Sequence, residues 1–211
     1  MIRPEIGTEK HKKSGRIKSA FFFLKTAISN FTQVGSIIPS SGALIKKLVS
    51  FADLQKARYV VEFGPGTGCL TREILKRSSP MTEVISIELN PHFHKYLKER
   101  INDHRFNIYN ENAANLKECM CKHNTKEVDY IFSSLPFMLF PKMTIRKILR
   151  ETYSCLAPKG KFILFQYSAN IEDLLKSVFQ EVKKHHVMLN VPPATVFVCS
   201  KEKTAHNIKK Q

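Results

Sequence analysis

Apolar and polar positions follow two rhythms along this chain, and the change from one to the other divides it. From Gly15 to Phe31 the apolar residues Ile17, Ala20, Phe21, Leu24 and Ile28 recur at helical spacing. Phe22 and Phe23 widen that face, and Lys18 and Lys25 flank it. Gly35 to Ser41 reads as a turn-rich link, with Pro39-Ser40-Ser41 capping a second helix to about Phe51. The period then shortens. Tyr59–Phe63 is a short apolar strand, followed by Gly64-Pro65-Gly66-Thr67-Gly68 and a helix from about Leu70 to Lys76. Further strands are predicted at Val84–Glu88, Phe106–Tyr109, Val128–Ser133 and Phe162–Tyr167. Helices are predicted over Pro91–Ile101, with Pro in its first turn, over Pro141–Leu156, ending near Pro158-Lys159-Gly160, and over Ile171–Gln180. His186–Leu189 and Thr195–Ser200 read as two last strands joined through Val191-Pro192-Pro193.

Strands alternating with helices imply parallel βαβ units with right-handed crossovers, hence a three-layer α/β fold of Rossmann-like type. The last two strands have no helix between them, so one runs antiparallel, giving a mostly parallel seven-stranded sheet with a C-terminal antiparallel hairpin. A length of 211 residues suits one full-sized core. The expected division is a basic amphipathic helical segment over residues 1–34 and one α/β domain over 35–211.

Ligands of such sheets lie beyond the carboxyl ends of the strands, where the strand order reverses. Glu62-Phe63 ends the first strand and Gly64, Gly66 and Gly68 follow at once. The spacing is G-x-G-x-G rather than the G-x-G-x-x-G of dinucleotide sites, and an acid precedes it. A carboxylate there repels a pyrophosphate but accepts from an ammonium, which the methionine end of S-adenosylmethionine carries. Glu88 ends the second strand about 20 residues downstream, where a carboxylate accepts both hydroxyls of a ribose. Asn112, after the third strand, stands where a short polar side chain meets an adenine amino group.

Val60-Val61-Glu62-Phe63-Gly64-Pro65-Gly66-Thr67-Gly68 resembles the first motif of the class I methyltransferases. Glu62 to Gly68 in particular is similar to bacterial phospholipid N-methyltransferases, which methylate phosphatidylethanolamine, and to their relatives the rRNA adenine dimethylases. The phospholipid resemblance is the fuller one, running from the Phe23 region through Gly35-Ser36-Ile37-Ile38-Pro39-Ser40 to Ser133-Ser134-Leu135-Pro136, Phe165-Gln166-Tyr167 and Asn190-Val191-Pro192-Pro193-Ala194. It implies that Glu62, Gly64, Gly66, Glu88 and Asn112 hold S-adenosylmethionine, with Ser40, Thr67, Gly68, Leu89, Ala113 and Ser133 at the same site. Asn112 stands where that family more usually carries Asp, and Glu111 where it carries Gly.

On the acceptor side Ser134, Tyr167 and Asn190 are expected to contact substrate, with Tyr167 orienting the amine or relaying its proton. Adenine methyltransferases of the rRNA group carry Asn-Leu-Pro-Tyr/Phe where this chain has Ser134-Leu135-Pro136-Phe137. They also continue into a helical C-terminal domain, for which this chain is expected to have no room. The expected activity is therefore transfer of methyl groups from S-adenosylmethionine to phosphatidylethanolamine and its partly methylated products. The alternative is an RNA or DNA adenine N6-methyltransferase.

The charge bears on that choice. A net charge of +16 and a pI near 9.7 imply a polyanionic partner, either an anionic membrane or a nucleic acid. Residues 1–25 carry seven Lys/Arg against two Glu, and residues 201–211 four Lys against one Glu. Lysines beside Phe21, Phe22, Phe23 and Leu24 have the design of a helix lying in a membrane interface, or else of one that packs its phenylalanines on its own domain and closes over bound cofactor. A nucleic-acid arm is expected to use Arg with interleaved Tyr or Trp, and the chain has no Trp. The expected location is the cytoplasm, peripherally associated with the inner face of the cell membrane, with no obligate protein partner. Five scattered cysteines read as reduced thiols. Cys119-x-Cys121 with His123 nearby lacks a second ligand pair at zinc spacing, so no metal is expected. His185 and His186 are expected to be structural.

Overall fold

The computed structural model describes residues 42–167, 171–188, 190 and 193–202. The basic segment 1–34, the link containing Ser40, and Leu189, Val191 and Pro192 lie outside them.

Six helices and seven strands alternate among the described residues. Helix α1 is Gly42–Val49, strand β1 Tyr59–Phe63, α2 Cys69–Arg77, β2 Glu83–Ile87, α3 Pro91–Arg100 and β3 Phe106–Tyr109. After them come α4 Leu116–Cys121, β4 Val128–Ser133, α5 Lys142–Cys155, β5 Leu156–Gln166, α6 Glu172–Lys176, β6 Glu181–Val187 and β7 Ala194–Ser200. Single 3₁₀ turns at Ala113–Asn115 and Phe137–Leu139 follow β3 and β4.

The sheet order is β3-β2-β1-β4-β5-β7-β6. The first five strands are parallel, and β7 runs antiparallel to both its neighbours. The order reverses between β1 and β4, which puts the crevice of a doubly wound sheet at their carboxyl ends. The Rossmann-like architecture expected from the sequence is the one observed.

Alternation along the strands explains the three layers. In β1, Val61 and Phe63 join the core under α4, α5 and α6, with Ile131, Phe162, Leu116, Ile148 and Leu175. Val60 faces the opposite layer, where Leu44, Leu48, Ile74 and Leu75 of α1 and α2 meet Val84, Phe132, Ile163 and Val196. Glu62 shares that second face by parity, so its carboxylate is buried on the side that α2 covers.

The differences from the expected boundaries have local causes. Strand β5 begins at Leu156, ahead of the Pro158-Lys159-Gly160 turn, because Leu156 already pairs with Val128 before the register jumps. The chain bulges between them so tightly that a side chain on Gly160 would stand 3.0 Å from the carbonyls of Ala157 and Asp129. Helix α6 is five residues long rather than running to Gln180. Strand β6 starts at Glu181 rather than His186, and its exposed Lys183 and Lys184 conceal an edge strand behind a charged sequence.

Candidate functional site

The carboxyl end of β1 is continued into loops by backbone bonds that extend the ladder. Gly64 N–H donates to the Ile87 carbonyl at 3.0 Å, Ser134 N–H to Phe63 at 3.0 Å and Glu88 N–H to Tyr109 at 3.0 Å. Four strand ends are thus held in one row. Above them Gly64, Gly66 and Gly68 all have positive φ, at 67°, 54° and 81°.

Two of these glycines have separable reasons. Gly68 caps α2 in the left-handed region, and a Cβ there would stand 2.6 Å from Leu97 Cδ2 and 3.0 Å from Arg72 Nη1. Its role is close packing of the loop on α3. Among the described residues a Cβ on Gly66 would meet no atom within 4 Å, and the Gly66 N–H donates to Glu88 Oε2 at 3.2 Å.

Glu62 is fully buried between Ser86 of β2 and Phe132 of β4, its register partners. Its Oε2 accepts from Thr71 Oγ1 at 2.6 Å and from Ser86 Oγ at 3.2 Å. Its Oε1 is buried with no hydrogen-bond partner among the described residues. Burial pushes this carboxyl from its ordinary 4.5 up to about 7, against the lowering effect of the two hydroxyls, and the nearby Glu88 adds to the rise. A buried carboxylate oxygen without a donor is costly, and an ammonium placed against it would remove that cost.

Glu88 is buried just beyond β2. Its Oε1 accepts from Asn90 N–H at 2.8 Å and its Oε2 from Gly66 N–H, which ties the second strand's carboxylate to the glycine loop. Burial raises its pKa, and the backbone donors at Asn90, Gly66 and Leu89 oppose the rise. The Asn110 amide steadies the turn by donating to the carbonyls of Glu88 at 2.9 Å and Leu89 at 3.2 Å. Asn112 uses its Oδ1 to accept from Ala114 N–H at 2.9 Å and so caps the turn carrying Ala113. Thr67 packs its hydroxyl against Cys69 Sγ at 3.5 Å, and its carbonyl accepts from Arg72 at 2.9 Å.

On the other side of the crevice the Leu135 peptide is held at both ends. Its N–H donates to Ser133 Oγ at 3.3 Å and its carbonyl accepts from Gln166 Nε2 at 2.8 Å. Ser133 and Gln166 are buried, whereas Ser134 is half-buried at the carboxyl end of β4. Tyr167, directly after β5, is exposed and meets Phe165 edge-on at 5.7 Å. Asn190 is buried in the β6–β7 connection.

Thr71, Ser86, Asn110 and Gln166 carried no expected role in the site. The signal for Ser86 was a hydroxyl inside the apolar run Val84-Ile85-Ser86-Ile87, and for Thr71 its helical spacing of three from the apolar Ile74. Such a hydroxyl needs a buried partner. His185 stacks on Phe51 at 4.5 Å and His186 faces Thr195 at 3.3 Å, both on β6, which β4, β5 and β7 separate from β1. His123 uses both ring nitrogens, toward Glu83 at 2.7 Å and Tyr109 at 2.9 Å. No group of three His, Cys, Asp or Glu residues is placed to hold a metal among the described residues. No described helix is long and apolar enough to cross a membrane.

The acceptor set suits a ligand with an ammonium at one end, against Glu62 Oε1, and a ribose toward Glu88.

Residues 30–155 match the sequence model of the family described as "Ribosomal RNA adenine dimethylase". An ornithine lipid N-methyltransferase from Singulisphaera acidiphila is 31% identical over 185 residues, covering 87% of this chain and 96% of that protein. Ribosomal RNA small subunit methyltransferase A from Mycoplasma capricolum is 28% identical over 57% of this chain, which spans 44% of that protein. Among solved structures, human methyltransferase-like protein 13 in complex with SAH aligns at a TM-score of 0.58 with 15% identity, over 79% of this chain and 84% of that one. A Burkholderia thailandensis 1,6-didemethyltoxoflavin-N1-methyltransferase with bound S-adenosylhomocysteine aligns at 0.62 with 14% identity, over 94% and 93%. These last two likenesses establish the fold.

Proposed function

Since the chain belongs to the ribosomal RNA adenine dimethylase family of S-adenosylmethionine-dependent methyltransferases, we propose that within this family it is a lipid N-methyltransferase whose acceptor is the amine of phosphatidylethanolamine and its partly methylated products. The observation that carries this reading is the likeness to an ornithine lipid N-methyltransferase over 96% of that protein, against 44% for the ribosomal RNA enzyme. Ser134 supports it, standing where the rRNA group carries the Asn that grips an adenine amino group.

S-adenosylmethionine supplies, when bound, a methyl group on a sulfonium centre open to attack by a nitrogen lone pair. In this reading Glu62 Oε1 accepts from the cofactor's ammonium, Glu88 from its ribose hydroxyls, and Asn112 meets its adenine. Gly64, Thr67, Gly68, Leu89, Ala113 and Ser133 belong to the same site. The acceptor ammonium must lose a proton before it can react, and burial in the crevice lowers its pKa toward that end. Tyr167 orients the amine or its phosphate and passes the proton to solvent, which its exposed position allows. Ser134 and Asn190 hold the acceptor's polar atoms. The bound geometry then does the catalytic work, since placing the lone pair in line replaces a bimolecular encounter. The basic, phenylalanine-rich segment 1–34 holds the chain peripherally on an anionic membrane face, in line with the +16 net charge.

A second reading, methylation of adenine N6 in RNA, is favoured by the match of residues 30–155 to a family named for that reaction. The deciding experiment supplies labelled S-adenosylmethionine with phosphatidylethanolamine, ornithine lipid or ribosomal RNA, beside a Glu62→Ala control. Label in phosphatidylethanolamine that is lost in the control is the expected result. Label confined to ornithine lipid or to RNA removes the proposed acceptor.

A further inference from the structure

Seven large apolar side chains are exposed among the described residues, and five of them gather at one end of the molecule. Met138 and Leu139 follow β4, Met143 opens α5, Tyr167 follows β5 and Met188 follows β6. Because β6 runs antiparallel to β7, and β7 antiparallel to β5, the carboxyl ends of β4, β5 and β6 share one sheet edge. Met138, Met143 and Met188 are 65%, 74% and 73% exposed, which is open enough to need a reason.

Helix α5 supplies the complement. Its apolar residues Ile145, Ile148 and Leu149 are buried, with Thr152 and Cys155, whereas Lys142, Arg146, Lys147 and Arg150 are exposed. None of these four forms an ion pair with a described residue, and Glu151, the helix's single acid, faces Lys117 at 3.9 Å. The exposed side of α5 is thus cationic without a compensating carboxylate, and it begins at the methionines.

We propose that this edge, with Met138, Leu139 and Met143 as the inserted tip and Lys142, Arg146 and Lys147 behind it, docks the domain on an anionic phospholipid bilayer with the crevice mouth facing the lipid. The inference rests on the lipid-amine reading above and adds a second contact to the one assigned to residues 1–34. Flexible apolar tips insert among acyl chains, and lysine and arginine beside them meet lipid phosphates. An acceptor headgroup then reaches Ser134 and Tyr167 without leaving the membrane. A nucleic acid would use the cations but gain nothing from three bare methionines. A second copy of so basic a face would repel the first.

The test measures co-sedimentation of the full chain with vesicles of phosphatidylcholine alone or mixed with phosphatidylglycerol. Two double variants are compared, Arg146→Glu with Lys147→Glu, and Met138→Ser with Leu139→Ser. Reversing two charges should weaken partition into the mixed vesicles by at least about 100-fold, and removing the apolar tip by about tenfold. Methylation of the amino lipid dispersed in neutral detergent micelles should stay unchanged in both. That arm also keeps the two readings apart, since wild type inactive in micelles defeats the acceptor assignment and says nothing against docking. Vesicle binding unchanged in both variants overturns the docking face. So does loss of RNA-oligonucleotide binding in the charge variant with vesicle binding intact. A melting temperature lowered by several degrees in a single Met138→Ser variant overturns it too, by showing the tip to be covered by another part of the chain.

Discussion

The two halves of the sheet's carboxyl edge are built on opposite principles. At β1 and β2, Glu62 and Glu88 are buried, three of their four carboxylate oxygens have donors, and the glycine loop is tied to both strands. At β4, β5 and β6, side chains of similar position, Met138, Tyr167 and Met188, stand in the open. The first half is finished before any ligand arrives and keeps one oxygen in reserve. Among the described residues the second is tied from beneath by the Gln166–Leu135–Ser133 bonds. Under the proposed function, a cofactor shared by many enzymes suits the preformed cradle of the first half, and an acceptor that differs among them suits the open platform of the second.

Removing Glu62 should blur this contrast most. Glu62→Ala leaves the Thr71 and Ser86 hydroxyls buried without their acceptor and should lower kcat/KM at least about 100-fold, with cofactor binding measured by calorimetry falling alongside. The milder Glu62→Gln isolates the charge. Because the folded carboxyl sits near 7 rather than 4.5, burial favours its neutral form. Wild-type stability relative to Glu62→Gln should therefore be greatest below about pH 4.5 and fall by about 3 kcal/mol as pH rises to about 7. Cofactor affinity should rise over the same window and lose that rise in the Gln variant. Matching pH profiles for the two proteins would remove the carboxylate from ammonium binding.

The glycines split the cradle's own functions. Gly68→Ala adds positive-φ strain to a 2.6 Å clash with Leu97 and should cost about 3 kcal/mol in chemical denaturation. Gly66→Ala meets no neighbour, so its cost should be about 1 kcal/mol, while cofactor affinity falls about tenfold. Equal losses of stability would erase the distinction. The smallest effect belongs to the platform. Gln166→Met removes the bond to Leu135 and should lower kcat about tenfold with cofactor affinity unchanged, the expected signature of a positioning residue. A change in cofactor binding instead would move Gln166 to the other half.

The same contrast explains what could be read from the sequence. The limits of β1, β3 and β4 agree with the expected ones, because short apolar runs between turn residues have few alternatives. The places of Glu62, the glycines and Glu88, in β1, in the loop after it and just beyond β2, are those expected, because a glycine loop between a short strand and a helix has few alternatives. Helix α4 went unseen, since Leu116, Cys119 and Met120 span too few residues to display a period. Strand β6 was half-missed because an edge strand with exposed lysines carries little apolar alternation. The Gln166–Leu135 bond joins residues 31 apart through the β4–β5 pairing, and no local pattern records it.

The position of β7 also bears on how the protein is made. This strand is the last in sequence, yet it lies between β5 and β6, with Val196, Phe197, Val198 and Cys199 buried. A ribosome releases β5 and β6 first, and each then carries an unsatisfied backbone edge facing the gap that β7 will fill. During that interval a growing chain exposes two sticky margins, the kind that chaperones shield and that neighbouring nascent chains can zip together.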